Sequence, residues 1–369
     1  MFGRWGAPVA TQVLKRLPVN IRPLLGIGKQ QNPKAMGLFL KAYCLLHQKT
    51  GRQDYLDRAG ELCRWLLDHP SRGYSGMGWG YPFPWASSIE YKEAWMPTSV
   101  ATAVAASGLH DYHTLTGSLE ARQALTEAAR FVDRHLPATE YPEGISFAYS
   151  PISRNATYNA SLHAAEILAM AGSASGTRDP RIENAIRFVL SRQKADGSWF
   201  YSYDLQKNSE RRQIDFHQGF ILVSLDNLLR LTGLMEEEIS RAIVRGLAFY
   251  RNVQFTSEGR SHWRIPKKFP VDIHHQSQGI ITFNRLDHYA SGEGYAEFAG
   301  TIASWTITHM QHPNGFFYYR KYRTGGNHIP FMRWGQAWMM LALSELLKTE
   351  KLTKTGTGGT PETHREPHA

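Results

Sequence analysis

Six segments of this chain share one texture and recur at nearly constant intervals. They begin near Pro33 (PKAMGLFLKAYCLLH), Pro97 (PTSVATAVAASGLHDYH), Thr157 (TYNASLHAAEILAMA), Ile214 (IDFHQGFILVSLDNLLRL), Val271 (VDIHHQSQGIITFNRL) and Pro330 (PFMRWGQAWMMLALSELL), at spacings of 64, 60, 57, 57 and 59 residues. Each opens on a turn or polar start and runs into small and apolar residues with almost no charge on any face. A fixed period of this size marks a repeat architecture. Between them, residues 54–68, 119–136, 180–193, 236–253 and 291–311 keep their charges to one side, as helices with one wet face do. The uncharged set therefore reads as inner helices and the amphipathic set as outer ones. With residues 8–18 as a sixth outer helix, the chain is expected to be all-α, an (α/α)6 toroid or six-hairpin barrel in one domain. Residues 1–32 form a basic N-terminal arm and outer helix, 33–348 the toroid, and 349–369, rich in Gly, Thr and Pro, a disordered tail.

Links from inner to outer helices are short, but those from outer to inner, residues 69–96, 137–156, 194–213, 254–270 and 312–329, are long. Loops of this length in a compact domain are usually functional. Each precedes an inner-helix N-terminus, so all five share one rim. They read GMGWGYPFPW, GISFAYSP, DGSWFYSYD, EGRSHWRIPKKF and NGFFYYRKYR: a glycine, a cluster of aromatic rings, then a polar or basic element. The pattern predicts aromatic-rich loops or short hairpins around a mouth. Some rings plug loops against helix ends, but Trp79, Tyr81, Trp85, Tyr149, Trp199, Tyr201, Trp263, Tyr318 and Tyr319 together exceed what a plug requires, and sugar rings suit such a surface.

The formal charge is +10, and its distribution matters more than its sum. Residues 1–34 carry six basic residues and no acid, so this arm is either a solvated outer helix or a contact with an anionic membrane surface. The loops 254–270 and 312–329 each carry a net +3. Together with converging helix N-termini, this favours an anionic substrate. No nucleic-acid recognition motif is present, and the basic residues lie on loops rather than along one helix. No stretch reaches about 18 apolar residues, and the N-terminus lacks a secretory pattern, so a cytoplasmic location, with peripheral membrane contact through the arm, is the expectation.

The inner-helix starts carry the candidate chemistry. Asp215-Phe-His217-Gln218 and Asp272-Ile-His274-His275-Gln276 align one repeat apart. Each Asp is either an N-cap or half of a tuned carboxylate–imidazole pair. Asp215 and Asp272 are candidate acid and base for glycosidic cleavage, with His217 and His274 tuning them. Tyr158, Asn159, Arg333 and Trp334 open other inner helices; Arg333 either pairs with an Asp or clamps a substrate carboxylate, and Arg320 adds to the clamp. His217 or His274 with Tyr158 would equally suit proton abstraction beside a uronate carboxylate, as in a lyase or C5-epimerase. A metal at His217, His274, His275 and Asp272 lacks a spaced ligand motif, and no cofactor or metal is expected. Cys44 and Cys63 read as buried apolar residues.

Two resemblances follow. QKADGSW (Gln193 to Trp199) is similar to the Gln-x3-Gly-x-Trp repeat of squalene and hopene cyclases, and QHPNGFF is a degenerate copy, but the acidic motifs of terpenoid chemistry are absent. The combination NPKAMGLFLKAY, WGYPFPW, YNASL, RQKADGSW, IDFHQGF, VDIHHQSQGI, GFFYYRKY and PFMRWGQAWMMLAL resembles the VpsJ-like proteins of bacterial exopolysaccharide clusters. That resemblance implies a six-hairpin glycosidase-type toroid that makes or trims a secreted polysaccharide, with the polymer or a lipid-linked oligosaccharide as partner. A non-catalytic glycan-binding subunit is the remaining alternative.

Overall fold

In a computed structural model of the chain, residues 13–14, 16–86, 90–204 and 206–347 are described. Among these residues, eleven α-helices form five pairs and a last single helix: α1 (Pro33–Thr50) and α2 (Gln53–Asp68), α3 (Ser99–Thr116) and α4 (Leu119–His135), α5 (Tyr158–Ser175) and α6 (Arg181–Ser191), α7 (His217–Thr232) and α8 (Glu236–Gln254), α9 (Ile273–Leu286) and α10 (Tyr295–Met310), then α11 (Ala337–Leu346). The odd-numbered helices pack one on the next, and α11 returns onto α1, closing the inner ring of the toroid.

Burial follows the charge pattern. In α5 every residue from Tyr158 to Gly172 is buried, whereas α4 buries only Ala121, Ala124, Leu125, Ala128, Phe131 and Val132, one stripe at helical spacing. Inner helices α1, α3, α5 and α7 each end on a left-handed glycine, which satisfies the last carbonyls and turns the chain.

The five long links lie on one rim and carry short antiparallel ladders. They comprise β1 (Trp85–Ala86) with β2 (Tyr91–Lys92), β3 (Ala138–Tyr141) with β4 (Gly144–Phe147), β5 (Ala156–Thr157) with β6 (Ser202–Asp204) and β7 (Ser209–Arg211), and β8 (Val271–Asp272) with β9 (Arg320–Lys321) and β10 (Gly326–Asn327).

One anchor recurs in every link. The side chains of Thr102, Ser161, Gln218, Gln276 and Gln336, each in or just before the first turns of an inner helix, accept the backbone N–H of Trp79, Phe147, Trp199, Ser261 and Phe317 at 2.7–3.0 Å. The loop glycine then lies flat on the next outer helix: a Cβ on Gly197 (φ +90°) would sit 2.3 Å from the Arg245 carbonyl oxygen. Its counterpart Gly315 meets nothing within 4 Å.

The sixth outer position differs from expectation. Of the expected helix 8–18, Val13, Leu14 and Arg16 are helical and Leu17 and Pro18 are not, and with Arg22 these five line the cavity mouth; residues 8–12 and 15 and the 349–369 tail lie outside the described residues. Residues 13–14 and 16–32 form a strap across the rim, held by the Asn327 side-chain amide donating to the Leu17 carbonyl at 2.9 Å.

Beneath the strap lies a cavity of about 1990 Å³ lined from every long link. A second cavity of about 320 Å³ continues along the ring axis and shares His163 and Phe220 with the first.

Candidate active site

The cavity wall holds nine Lys and Arg residues against three acids, among the described residues. Each acid is already matched. Glu90 bonds Lys92 and accepts from Ser153, Glu210 bonds Lys194 and accepts from Tyr158, and Asp204 pairs with Lys207. Among the described residues, Lys34 and Arg333 have no carboxylate partner.

Lys34 was not singled out in the sequence. It opens α1 directly after the Asn32 cap, is 5% exposed, and lies 5.3 Å over the Trp338 ring. Burial, reinforced by Arg333, pulls its amine below the ordinary lysine value, against the opposing pull of Tyr81. The signal that could have found it is a lysine at the second position of an otherwise uncharged inner-helix start. Arg333 sits in a single π-helical turn, Met332–Gln336, which aims its guanidinium 4.3 Å over the Tyr81 ring. Burial alone would raise the Tyr81 phenol, but Lys34 and Arg333 together bring it below its ordinary value. Tyr149 is a hydrogen-bond neighbour of Tyr81, and burial pushes its own phenol well up.

The two Asp-x-His pairs place their parts differently from expectation. Neither carboxylate lines the cavity. Asp215 is 3% exposed and accepts from His217 Nδ1 at 2.6 Å, the His217 backbone N–H at 3.2 Å and the Gln213 amide at 2.6 Å. Burial would raise this carboxyl, but His217 and Arg264 outweigh it and hold it well below the carboxylate range. Asp272 caps α9 through the His274 N–H at 3.0 Å, accepts the Trp334 indole N–H at 2.7 Å, and binds Arg320 Nε at 2.7 Å. A general acid or base needs access to its proton, so Asp215 and Asp272 act here as braces.

The imidazoles, by contrast, face the cavity. Asp215 fixes His217 Nδ1, so Nε2 remains for a ligand. His274 Nδ1 donates to the Trp334 carbonyl at 3.2 Å, a partner that only accepts, so its Nε2 carries the lone pair. Burial, then the Lys34 charge, pull His274 well below the ordinary histidine value and keep it neutral. Both rings pack on Phe216, at centroid distances of 4.3 and 4.8 Å.

The remaining expected residues divide. Tyr81, Trp85, Tyr149, Asn159, Tyr201, Trp263, Tyr319, Arg320, Arg333 and Trp334 line the cavity. The Asn159 side-chain oxygen and the Tyr319 hydroxyl are buried there without a partner. Arg320 sits 4.2 Å over Trp263, with Asp272 behind it.

Trp79 and Trp199 do not reach the cavity: each indole N–H donates to the last turn of the preceding outer helix, to the Leu66 and Val189 carbonyls. Tyr158 is fully buried and donates to Glu210 at 2.6 Å. His275 turns into the layer between inner and outer helices, stacked on Tyr250. Tyr318 stacks on His328. Among the described residues, no group of three or more His, Cys, Asp or Glu is placed to hold a metal.

No family model and no curated protein matches the sequence. Solved structures do match the fold. The cellobiose 2-epimerase from Bacillus thermoamylovorans superposes with a TM-score of 0.66 at 13% identity over 86% of this chain and 88% of that one. The GH76 α-mannanase from Bacteroides thetaiotaomicron gives 0.66 at 13% identity, covering 87% of each chain. An unsaturated glucuronyl hydrolase specific for heparin gives 0.60 at 13% identity, covering 85% of each. These establish the (α/α)6 toroid, and their three different reactions leave the chemistry to be argued from the side chains.

Proposed function

We propose that this protein is a carbohydrate-active enzyme that moves a proton at the carbon beside a sugar carboxylate, as an epimerase or eliminative lyase of an acidic saccharide. The observation that carries this reading is the exchange of roles within the Asp-x-His pairs: both carboxylates are committed to fixed bonds, while both imidazoles present Nε2 to a cavity rich in unmatched cations. Lys34 and Arg333 would neutralise the substrate carboxylate, which makes the adjacent C–H more acidic. His274 Nε2, neutral and desolvated, takes that proton. Return of a proton from His217 to the opposite face inverts the carbon. Loss of the neighbouring C4 oxygen substituent instead, with Tyr81 positioned to protonate it, gives the unsaturated sugar and completes elimination.

Hydrolysis by Asp215 and Asp272, the first expectation, would need those carboxylates in the cavity. The resemblance to exopolysaccharide-cluster proteins supplies a setting, in which the polymer or its lipid-linked precursor is the substrate.

The test is incubation with uronate-containing oligosaccharides in deuterated water. Deuterium at C5, or a new near-ultraviolet absorbance from a C4–C5 double bond, is expected, and His274→Gln removes it. New reducing ends with neither signal would overturn the reading in favour of a hydrolase. Saccharide binding with no turnover would identify a glycan-binding subunit.

A further inference from the structure

The cavity mouth wears a second surface that the sugar chemistry does not use. Val13, Val19, Leu24, Ile27, Phe83 and Met332 are exposed, with Leu24 at 86%, Val19 at 66% and Met332 at 56%. Val13, Ile27, Phe83 and Met332 belong to the mouth itself, and Val19 and Leu24 lie on the strap that crosses it. A short 3-10 turn, Pro23–Leu25, closed by left-handed Gly26, carries Leu24 outward. The strap is seated by Arg22, which donates to the Leu14 carbonyl at 3.1 Å and lies 4.9 Å over Phe331. Its outward apolar residues are therefore presented by a built turn.

The chemistry of this patch separates it from the aromatic wall beneath. Sugar faces stack on flat rings, whereas valine, leucine, isoleucine and methionine offer no such face and suit acyl chains. Cations outnumber acids around the patch: no Asp or Glu occurs before Asp54, and Arg16, Lys29, Arg211, Lys267, Lys268 and Arg323 are exposed on the strap and rim loops, against exposed Glu93, Glu140, Glu143, Asp196 and Glu258 on the same loops. Exposed aliphatic residues ringed by cations are the signature of an interfacial anchor for anionic lipid. No helix among the described residues is long and apolar enough to cross a membrane, so the contact would be peripheral.

We propose that the rim and its strap dock face-down on an anionic lipid surface, Leu24 and Val19 entering the interface, so that the cavity opens toward the bilayer. This surface stands apart from the proton-transfer reading, and the test below does not depend on turnover.

The full chain is sedimented with vesicles of phosphatidylcholine alone and of phosphatidylcholine mixed with phosphatidylglycerol, at low and high salt. Binding to the mixed vesicles, roughly tenfold or more weaker on phosphatidylcholine and weakened by salt, is expected. The double variant Val19→Asp/Leu24→Asp, in which both replaced side chains are exposed, should lose about tenfold in binding with an unchanged thermal midpoint. Lys267→Glu/Lys268→Glu, on a rim loop rather than the strap, should lose binding comparably. Absence of binding at low salt overturns the proposal. Binding that ignores the strap variant overturns it as well, because charge alone then explains adsorption. Binding that a soluble anionic polysaccharide competes away, unchanged by Leu24, identifies a glycan surface instead.

Discussion

At the scale of single residues, the proposed reaction assigns proton transfer to the imidazoles that face the cavity and leaves the buried carboxylates to hold them. Asp215→Asn keeps the shape but removes the charge that fixes the His217 tautomer, so kcat should fall about 10²- to 10⁴-fold, and the thermal midpoint should drop because His217 and Arg264 stabilise that charge in the folded state. Asp272→Asn should lower stability as well, because Asp272 restrains Arg320 and Trp334 and caps α9. A mutant series that leaves turnover intact in Asp215→Asn would contradict the orienting role. His275 supplies a different test. Burial lowers its value to about 4, so between pH 6.5 and 4 the unfolded chain binds the proton and the folded chain does not. Stability therefore falls as pH drops through that window. His275→Gln should flatten the decline by up to one proton, read from thermal midpoints across pH; His274 and His262, also lowered, act in the same direction.

At the scale of elements, each rim loop is pinned by an inner-helix side chain that accepts a loop N–H, and four of the five also by a glycine, Gly76, Gly144, Gly197 or Gly259, laid on the next outer helix. Gly197→Ala drives a methyl group into the Arg245 carbonyl at an unfavourable φ and should destabilise by more than about 2 kcal/mol. Gly315→Ala, with the same sign of φ but open space, should cost about 1 kcal/mol. Equal losses in urea unfolding would remove the packing argument. The helices were legible because charge distribution reports burial directly: α5 has only Glu166 and His163 as ionisable groups in its interior, while Glu120 and Arg122 mark the wet side of α4. Site roles were less legible. Trp79 and Trp85 occupy one loop with similar neighbours, yet the first plugs it and the second faces the cavity, a distinction set by which backbone carbonyl an indole reaches. Asp215 looked catalytic because sequence shows adjacency to His217 but not which of the two points inward. Lys34 escaped notice because its meaning comes from Arg333 and Tyr81, which are distant in sequence.

At the scale of the whole molecule, a ring of six inner helices gathers residues from positions 13 to 334 around one well, and five of the nine cations there have no acid partner among the described residues. Affinity for a uronate oligosaccharide should therefore weaken steeply as salt rises, while affinity for a neutral oligosaccharide of the same length stays nearly flat; calorimetric titration of both distinguishes a charge-selective well from a merely aromatic one. The base of that well is thin. His163 and Phe220 face the large cavity on one side and the small axial one on the other. For the saccharide substrate proposed above, Phe220 would act as a depth gauge, setting how many sugar units fit before the chain meets a wall. Shortening it to alanine would join the two spaces and shift preference toward longer saccharides, making chain-length selectivity a property of one ring on the toroid axis.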